Sequence, residues 1–282
     1  MKKILLIAAV LFLLAGCGSK NKEELGEVEL KGVPEEKVTS SITVGGFTID
    51  IYVTYASVTG YTGTDTNISI PESAAGVRIK TISENAFKGN DKIKKVTLPS
   101  TMLIIDRYAF ENCSALETVI LNDGLETIAD YAFRNSAVAV CDLTDSIGSL
   151  GKYSFYGCKK LSGTVHIPAN LYRGMKYTFY GCEKLTDIEF SPRFSEIGEN
   201  MFYNCTGLTK ITIPETVKKI CNYAFSGCTG LTEIEIPAET ETVSEGVFFG
   251  CSNLTVYTPE GSAAYKACVK NKWKVEPIKA ED

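Results

Sequence analysis

The sequence predicts an α/β repeat solenoid, in which short units stack along one axis. A Phe returns eight times at intervals of 22 to 24 residues: Phe87, Phe110, Phe133, Phe155, Phe179, Phe202, Phe225 and Phe248. Within each unit, one segment alternates between apolar and polar residues, and the segment around the Phe has apolar residues spaced for one helical or irregular turn. A unit of this length cannot bury its own apolar face, so neighbouring units must share one core.

Each unit carries one predicted strand, because apolar and polar residues alternate with the period of a half-buried strand. Pro214 and Pro237 end two of these strands, since Pro lacks the N–H that a ladder needs. The predicted strands lie at 68–70, 96–98, 119–121, 141–143, 165–167, 188–190, 211–213 and 234–236. Stacked in order, they would form one parallel sheet. The unit around Cys141 is a residue short and the unit at 161–168 is a residue long, which predicts a bulge or register adjustment there.

The ends of the stack need caps that hide the last apolar surface. Two alternating runs around Gly45 and Gly46 predict a β-hairpin over 41–55. At the other end, 261–272 predicts a short amphipathic helix, and 273–278 predicts a last strand. The helix would turn four residues inward: Ala264, Tyr265, Cys268 and Val269. The predicted repeat region, 41–282, thus divides into a cap with a half-repeat (41–81), repeats (82–254) and a closing cap (255–282).

The N-terminus is typical of an export signal. Lys2 and Lys3 precede an apolar run that ends in Leu14-Ala15-Gly16-Cys17, and this run is too short for a permanent membrane span. The segment resembles a bacterial lipoprotein signal, which implies removal of residues 1–16 and acylation of Cys17; a plain signal with an incidental Cys is the alternative. Residues 17–40 are rich in charge and poor in aromatics, so we expect a flexible tether. Gly18 stands where an Asp would favour the inner membrane, so the expected location is the bacterial cell envelope, at the outer membrane or cell surface.

Several segments resemble the BspA-like leucine-rich repeats: "AFENCSALETVIL", "AFSGCTGLTEIEIP" and "SVTGYTGTDTNISIPESAAGVRIKTISENAF". The resemblance covers about residues 42 to 278. It implies a right-handed superhelix with one parallel β-sheet on the concave face, and it implies protein binding, since members of the family resemble bacterial surface proteins that contact host matrix proteins or other cells. The resemblance assigns no binding residue. The chain departs from the repeat where Asn90 and Ser136 replace a Cys, and where Pro is missing after Leu121 and Leu143.

The cysteines follow the repeat. Six of the ten lie three residues after a repeat Phe: Cys113, Cys158, Cys182, Cys205, Cys228 and Cys251. Stacking would place them about 5 Å apart, which a disulfide tolerates, but with parallel Cβ atoms. Free buried thiols are favoured, because Asn90 and Ser136 occupy the same position and free Cys behaves as a small apolar side chain. Some disulfides remain an alternative, and so does a metal, although a line of thiols does not converge as zinc requires.

The inventory of catalytic groups is thin. His166 is the only histidine, and it lies within a predicted strand. No Gly-rich phosphate loop, no His/Glu metal pair and no GxSxG motif occurs in the sequence. Carboxylates do share a strand face, but a glycosidase would also need a walled cleft with aromatic platforms. We therefore expect no enzyme activity and no cofactor. The 34 acidic and 29 basic residues argue against nucleic-acid binding.

Alternation also predicts which strand residues face outward, and we call this set the strip. Its members are Lys95, Thr97, Thr118, Ile120, Val140, Asp142, His166, Asp187, Glu189, Lys210, Thr212, Glu233 and Glu235. The middle of the strip is apolar and its C-terminal half is acidic, which predicts a partner with a basic patch, or a divalent cation bridging carboxylates. A solvated face without a ligand and a contact on the convex side are the alternatives.

The predicted function is therefore that of a monomeric, lipid-anchored surface protein that binds host matrix protein or a neighbouring cell. The alternative is a structural or accessory envelope lipoprotein, acting as a scaffold or in nutrient capture.

Overall fold

The computed structural model describes residues 36–278. The predicted signal peptide and the predicted acylation site at Cys17 lie outside this range. In chain order the described elements are β1 (Ser40–Val44), β2 (Phe47–Ile51), β3 (Ala56–Tyr61), β4 (Asn67–Ser69), β5 (Ser73–Ala74), β6 (Val77–Ile82), β7 (Lys95–Thr97), β8 (Ile104–Ile105), β9 (Thr118–Ile120), β10 (Thr127–Ile128), β11 (Ser149–Leu150), β12 (Gly163–His166), β13 (Leu185–Glu189), β14 (Glu196–Ile197), β15 (Lys210–Thr212), β16 (Lys219–Ile220), β17 (Glu233–Glu235), β18 (Thr242–Val243), β19 (Thr255–Pro259), α1 (Ala263–Asn271) and β20 (Val275–Ile278).

The repeats stack into two parallel ladders, so the prediction of a single parallel sheet is wrong. The long ladder holds the predicted strands, in three hydrogen-bonded groups: β4-β7-β9, β12-β13 and β15-β17-β19-β20. The short ladder holds β3 and β6, of six residues each, and then two-residue strands at the start of later repeats, in the groups β3-β6-β8-β10-β11 and β14-β16-β18. The repeat between these groups contributes only an isolated bridge, from Arg173 to Glu196. Stacking in register brings every equivalent segment to strand spacing, so a second extended segment also pairs. Two residues are too few to show alternation in a sequence.

The irregular repeats disturb the long ladder where the sequence predicts it. No strand forms at 141–143, and the only pairing there is an isolated bridge between Thr118 and Val140. The register of β12 against β13 shifts between Gly163 and Thr164. One residue missing from a repeat of fixed path displaces the next strand by one position, and the extra residue of the following repeat restores the register.

The turn around each Phe is not helical. Two residues per repeat have positive φ, one two positions before the Phe and one two positions after it, as at Asn200 (54°) and Asn204 (55°) around Phe202. Alternate N–H groups then point along the axis: Phe202 N–H donates to Ala224 O at 2.9 Å, and Asn204 N–H donates to Ser226 O at 2.8 Å. Among residues 36–278 the one helix is α1. The fold is therefore a β-solenoid of low helix content, and the α/β prediction is corrected.

The core is a continuous column of rings. Consecutive repeat Phe side chains stack with centroids 4.9 to 6.1 Å apart and ring planes within 17° of parallel. Beside them, each repeat thiol donates to the carbonyl of the Phe in the preceding repeat, as Cys205 Sγ does to Phe179 O at 3.1 Å. Burial raises the pKa of Cys113, Cys158 and Cys205 to about 12. Eight cysteines, including all six at the repeat position, are free thiols in the structure.

The two ends differ in construction. At the N-terminal end β1 and β2 form an antiparallel hairpin through Gly45 and Gly46, both with positive φ. At the C-terminal end Ser262 caps α1, and Trp273 meets Phe248 edge-on, with centroids 5.1 Å apart. The helix buries Ala264 and Cys268, as predicted, but Val269 is 58% exposed, so its predicted inward position is wrong. Within the described range no helix has the length and apolarity needed to cross a bilayer.

Candidate protein-binding face

The strip lies on one face of the long ladder because burial alternates along each strand. The central residues Val96, Val119, Ile188, Ile211 and Ile234 are at most 5% exposed. Their neighbours on both sides point away from the core and are exposed or half-buried. Half-buried members of the strip are Thr97, Thr118, His166 and Glu233. On these strands the strip residues point outward, as the alternation predicts.

The pairing register fixes which strip residues are neighbours. Lys210 pairs with Glu233 and Thr212 with Glu235 across β15 and β17. Lys95 and Thr97 pair in the same way with Thr118 and Ile120, and His166 pairs with Glu189. Asp142 lies outside any strand, and β13 and β15 belong to different strand groups. The strip thus consists of three ordered patches, separated at the irregular repeat and after β13.

The C-terminal half of the strip is acidic. Asp187, Glu189 and Glu235 are exposed carboxylates, and the Lys210 ammonium lies 3.3 Å from a Glu233 oxygen. Over the whole strip, five carboxylates face two lysines. Surface ion pairs contribute little to stability, because water solvates both partners. The excess negative charge is therefore available to attract a cationic partner.

His166 is held between two carboxylates. Its Nε2 lies 3.0 Å from Asp145 Oδ1, and its Nδ1 lies 3.5 Å from Glu189 Oε2. The Ala169 N–H, which donates to the same Asp145 oxygen at 2.8 Å, and then the imidazole lower the pKa of the Asp145 carboxyl. Between residues 36 and 278 no three His, Cys, Asp or Glu side chains are arranged to hold a metal ion. The cluster orients the imidazole on the face of the strip.

The middle of the strip is apolar and open to solvent. Ile120 is 43% exposed and Val140 is 50% exposed. They come from adjacent repeats, since Val140 is bridged to Thr118 on the strand that carries Ile120. In an interface, apolar contacts contribute affinity and charged side chains guide the approach, and the strip offers both in different patches.

Comparison with known proteins assigns the repeat. A sequence model of the BspA type leucine rich repeat region matches in six copies, over residues 80–173 and 163–269. The chain belongs to the BspA-type leucine-rich-repeat family. The match is to a repeat scaffold, and no catalytic family is shown. No curated protein matches the chain.

Solved structures of other repeat proteins resemble this BspA-type chain weakly in sequence. A leucine rich cell surface protein from Faecalibacterium prausnitzii is 20% identical, with a TM-score of 0.36, over 82% of this chain and 97% of its own. A leucine rich repeat protein of T. pallidum is 21% identical, with a TM-score of 0.39, over 86% of this chain and 100% of its own. The pneumococcal vaccine antigen PcpA is 13% identical, with a TM-score of 0.33, over 86% of this chain and 100% of its own.

In this BspA-type chain the same face extends beyond the predicted strip. Asn67 and Ser69 pair with Lys95 and Thr97 at one end, and Tyr257 pairs with Glu235 at the other. The segments at 68–70 and after 254 show the same alternation of apolar and polar residues, so these outward positions could have been predicted from the sequence. Asp145 is different, because it lies in a turn and reaches His166 only through the irregular path of its repeat. No local sequence pattern predicts the contact between Asp145 and His166.

Proposed function

We propose that this protein is a surface-anchored binding protein that engages another protein through the strip, without catalysis. The observation that carries the proposal is the ordered array of outward side chains, apolar in the middle and acidic towards the C-terminus. Repeat solenoids present such extended surfaces to partners, and the register here fixes the neighbours of each side chain. We place the strip on the concave face of a right-handed superhelix, with the hairpin and α1-β20 as caps.

The proposed partner carries a basic patch and is a host matrix protein or a protein on a neighbouring cell. Complementary charge speeds encounter and excludes acidic competitors. We further propose that Cys17 is acylated after removal of residues 1–16, that residues 17–40 tether the repeats, and that the protein acts as a monomer at the outer membrane or cell surface. Two or more acyl chains hold a protein firmly, whereas one chain alone binds only marginally.

A capture experiment tests the strip. The lipid-free chain 36–282 is incubated with host extracellular proteins and, in parallel, with envelope extract. A variant with Asp187, Glu189, Glu233 and Glu235 changed to Ala should lose capture of a basic host protein. Capture by the unchanged protein should also weaken as salt is raised, because screening shortens the reach of exposed charges to about 8 Å at physiological ionic strength.

The matched control removes four exposed carboxylates that lie outside the strip: Asp123, Glu126, Glu239 and Glu241. It changes the net charge equally and should capture the host protein as the unchanged chain does. Equal loss in both variants would mean that only overall charge matters. Full capture by the strip variant would refute the proposed face, and capture of envelope proteins alone would favour a scaffold.

A further inference from the structure

A second column of side chains runs along the turns, away from the strip. It consists of the residue that follows each repeat Phe, and we call it the turn column. Its members in order are Lys88, Glu111, Arg134, Tyr156, Tyr180, Tyr203, Ser226 and Phe249. Since the turns are hydrogen-bonded in register, these side chains are also stacked one repeat apart.

The column is filled without a break as far as Tyr203. Glu111 bridges Lys88 at 2.9 Å and Arg134 at 3.2 Å, and the Arg134 guanidinium lies 5.7 Å from the centre of the Tyr156 ring. The Tyr156 and Tyr180 rings stack at 4.6 Å, and the Tyr180 and Tyr203 rings stack at 4.7 Å with planes only 1° apart. From Tyr156 to Tyr203, each step along the axis therefore places one ring at stacking distance from the last.

At the next step the ring is missing. Ser226 is 1% exposed, and its hydroxyl donates to the Phe249 carbonyl at 3.0 Å. Its side chain therefore lies against the backbone and does not continue the stack of rings. One step later the Phe249 ring is 70% exposed. Between Tyr203 and Phe249 lies a shallow, solvent-open groove of about 390 Å³. The outer face of an otherwise complete ladder is thus left open.

We propose that this gap is a binding slot for one planar aromatic side chain, presented by a protein partner. Phe249 lies two repeats beyond Tyr203 in the turn column, and both residues line the groove. Continued at the 4.6 to 4.7 Å step of the tyrosine rings, the column would leave room for one ring between them. A ring inserted midway would lie at stacking distance from both, within the 4.5 to 7 Å that aromatic pairs prefer.

The floor and rim of the slot suit this occupant. Gly227, at the floor, has φ +73°, and a Cβ there would overlap the side-chain oxygen of Asn204. This position therefore keeps a residue without a side chain, and the slot stays open. Glu183, Asn204, Thr206 and Thr229 also line the slot and offer polar groups to the backbone of an inserted segment. An aromatic anchor with a polar surround is the usual composition of an interface hot spot.

The inference takes one element from the proposed function, namely that the partner that supplies the ring is a protein. It does not depend on the strip as the binding face. It is therefore tested with a probe that needs no natural partner. The probe is the tripeptide Gly-(5-fluoro-Trp)-Gly, titrated into the full mature protein in detergent and followed by ¹⁹F NMR. We expect saturable binding with a Kd of about 1 mM, equivalent to roughly 4 kcal/mol.

Two variants should weaken this binding in different ways. Ser226→Tyr supplies the missing ring from within, so it should reduce affinity at least about tenfold while thermal unfolding stays unchanged or rises. Phe249→Ala removes one wall and should have a similar effect on affinity. The matched controls are Ser114→Tyr, which adds a ring at an exposed site elsewhere, and Tyr172→Ala, which removes an exposed ring outside the slot. Both should bind the probe normally.

A gain of binding provides the opposite test. Tyr180→Ser would open a second gap between Tyr156 and Tyr203, so the number of probe molecules bound should rise from one to two. Normal binding by Ser226→Tyr, or equal binding of Gly-Leu-Gly, would overturn the proposal. Binding of the disaccharide cellobiose in place of the tripeptide would overturn it in favour of a sugar. Full capture of the partner by the strip variant, together with normal binding of the probe by the unchanged protein, would reject the proposed strip and leave the slot standing.

Discussion

Left-handed backbone at two fixed positions per repeat shapes every turn. The position two residues after the Phe is always Asn or Gly, the residues that adopt this region most readily. The position two residues before the Phe is Tyr in five repeats, from Tyr108 to Tyr223, and a bulky residue is strained there. The Tyr108 and Tyr131 rings stack at 4.9 Å across neighbouring repeats, so side-chain packing offsets the backbone cost.

Gly157→Ala should expose this constraint. Gly157 has φ +69°, and an added Cβ would overlap the Asn135 side-chain oxygen. We expect a loss of about 1 to 3 kcal/mol in the free energy of unfolding, measured by urea denaturation. Gly148→Ala is the control, because Gly148 is outside the left-handed region and a Cβ there meets nothing within 4 Å. Equal effects of the two changes would contradict a backbone origin.

The repeat thiols should be unreactive in the folded protein. Cys205 is fully buried, and burial raises the pKa of its thiol from 9.0 to about 12. Only the thiolate reacts, so iodoacetamide at pH 8 should modify Cys205 after denaturation but not before. Peptide mass mapping measures the difference. Native modification at the rate of a free thiol would show that the repeat opens.

The same pKa shift makes stability depend on pH. The folded state favours the neutral thiol, so the contribution to stability is complete below pH 9.0 and is lost as pH rises towards about 12. Cys205→Ser should flatten the decline in this window, because Ser does not titrate and can keep a donor near the Phe179 carbonyl. Urea denaturation at pH 8 and pH 10.5 checks the difference.

At the scale of the elements, the long strands could be predicted from the sequence and the short ones could not. The long-ladder strands were predictable because each alternates around a buried residue, such as Val119 or Ile234. The short-ladder strands, such as Thr127–Ile128, were not predictable. They form because stacked backbones pair, and they have no side-chain alternation that a sequence could show. The turn was mistaken for a possible helical turn because Ile197, Met201 and Phe202 are also spaced for a helix, and the left-handed Asn200 rules that out.

The candidate site follows the same division. Outward strip residues on strands were predictable from alternation, whereas Asp145 depends on a loop path that no period describes. The gap at Ser226 is visible in the sequence as one small residue in a column of aromatics. Its meaning depends on the stacking distances, which only the structure supplies.

The Phe column should dominate the stability of the element it runs through. Phe179 is fully buried, with stacked neighbours at 5.5 Å and 5.6 Å. Phe179→Ala should lower the free energy of unfolding by about 3 to 5 kcal/mol, because it removes contacts on both sides and leaves a cavity. Tyr172→Ala, at a 60% exposed ring, should change it by less than about 0.5 kcal/mol. Similar urea midpoints for both would argue against a continuous column.

At the scale of the whole molecule, each end of the solenoid has an apolar surface and a strand edge that no further repeat covers. The last ring, Phe248, is covered by Trp273, which follows α1. Removing residues 260–282 should expose this ring and the edge of β19, so the shortened chain should form concentration-dependent oligomers in light scattering. Trp273→Ala, which keeps the edge covered, should lower thermal stability without this self-association.

The proposed anchor determines how the whole molecule partitions. Cys17→Ser should prevent acylation, so the protein should move from the detergent phase to the aqueous phase in Triton X-114 separation. The repeats themselves should be unaffected, and the far-ultraviolet circular dichroism of the variant should match that of the acylated protein. Detergent partitioning that persists in the variant would reject Cys17 as the attachment point.

Every repeat is fixed by contacts with the repeats immediately beside it. The Cys205 thiol reaches back to Phe179, and the Phe202 N–H reaches forward to Ala224. A whole unit can therefore be duplicated or deleted without rebuilding its neighbours. Residues 202–224 and 225–247 form similar units, so the gene segments that encode them are repeats of each other. Unequal recombination between such segments would change the number of repeats in steps of one. We expect natural alleles to differ in length by whole units, each one lengthening or shortening the strip by a single rung.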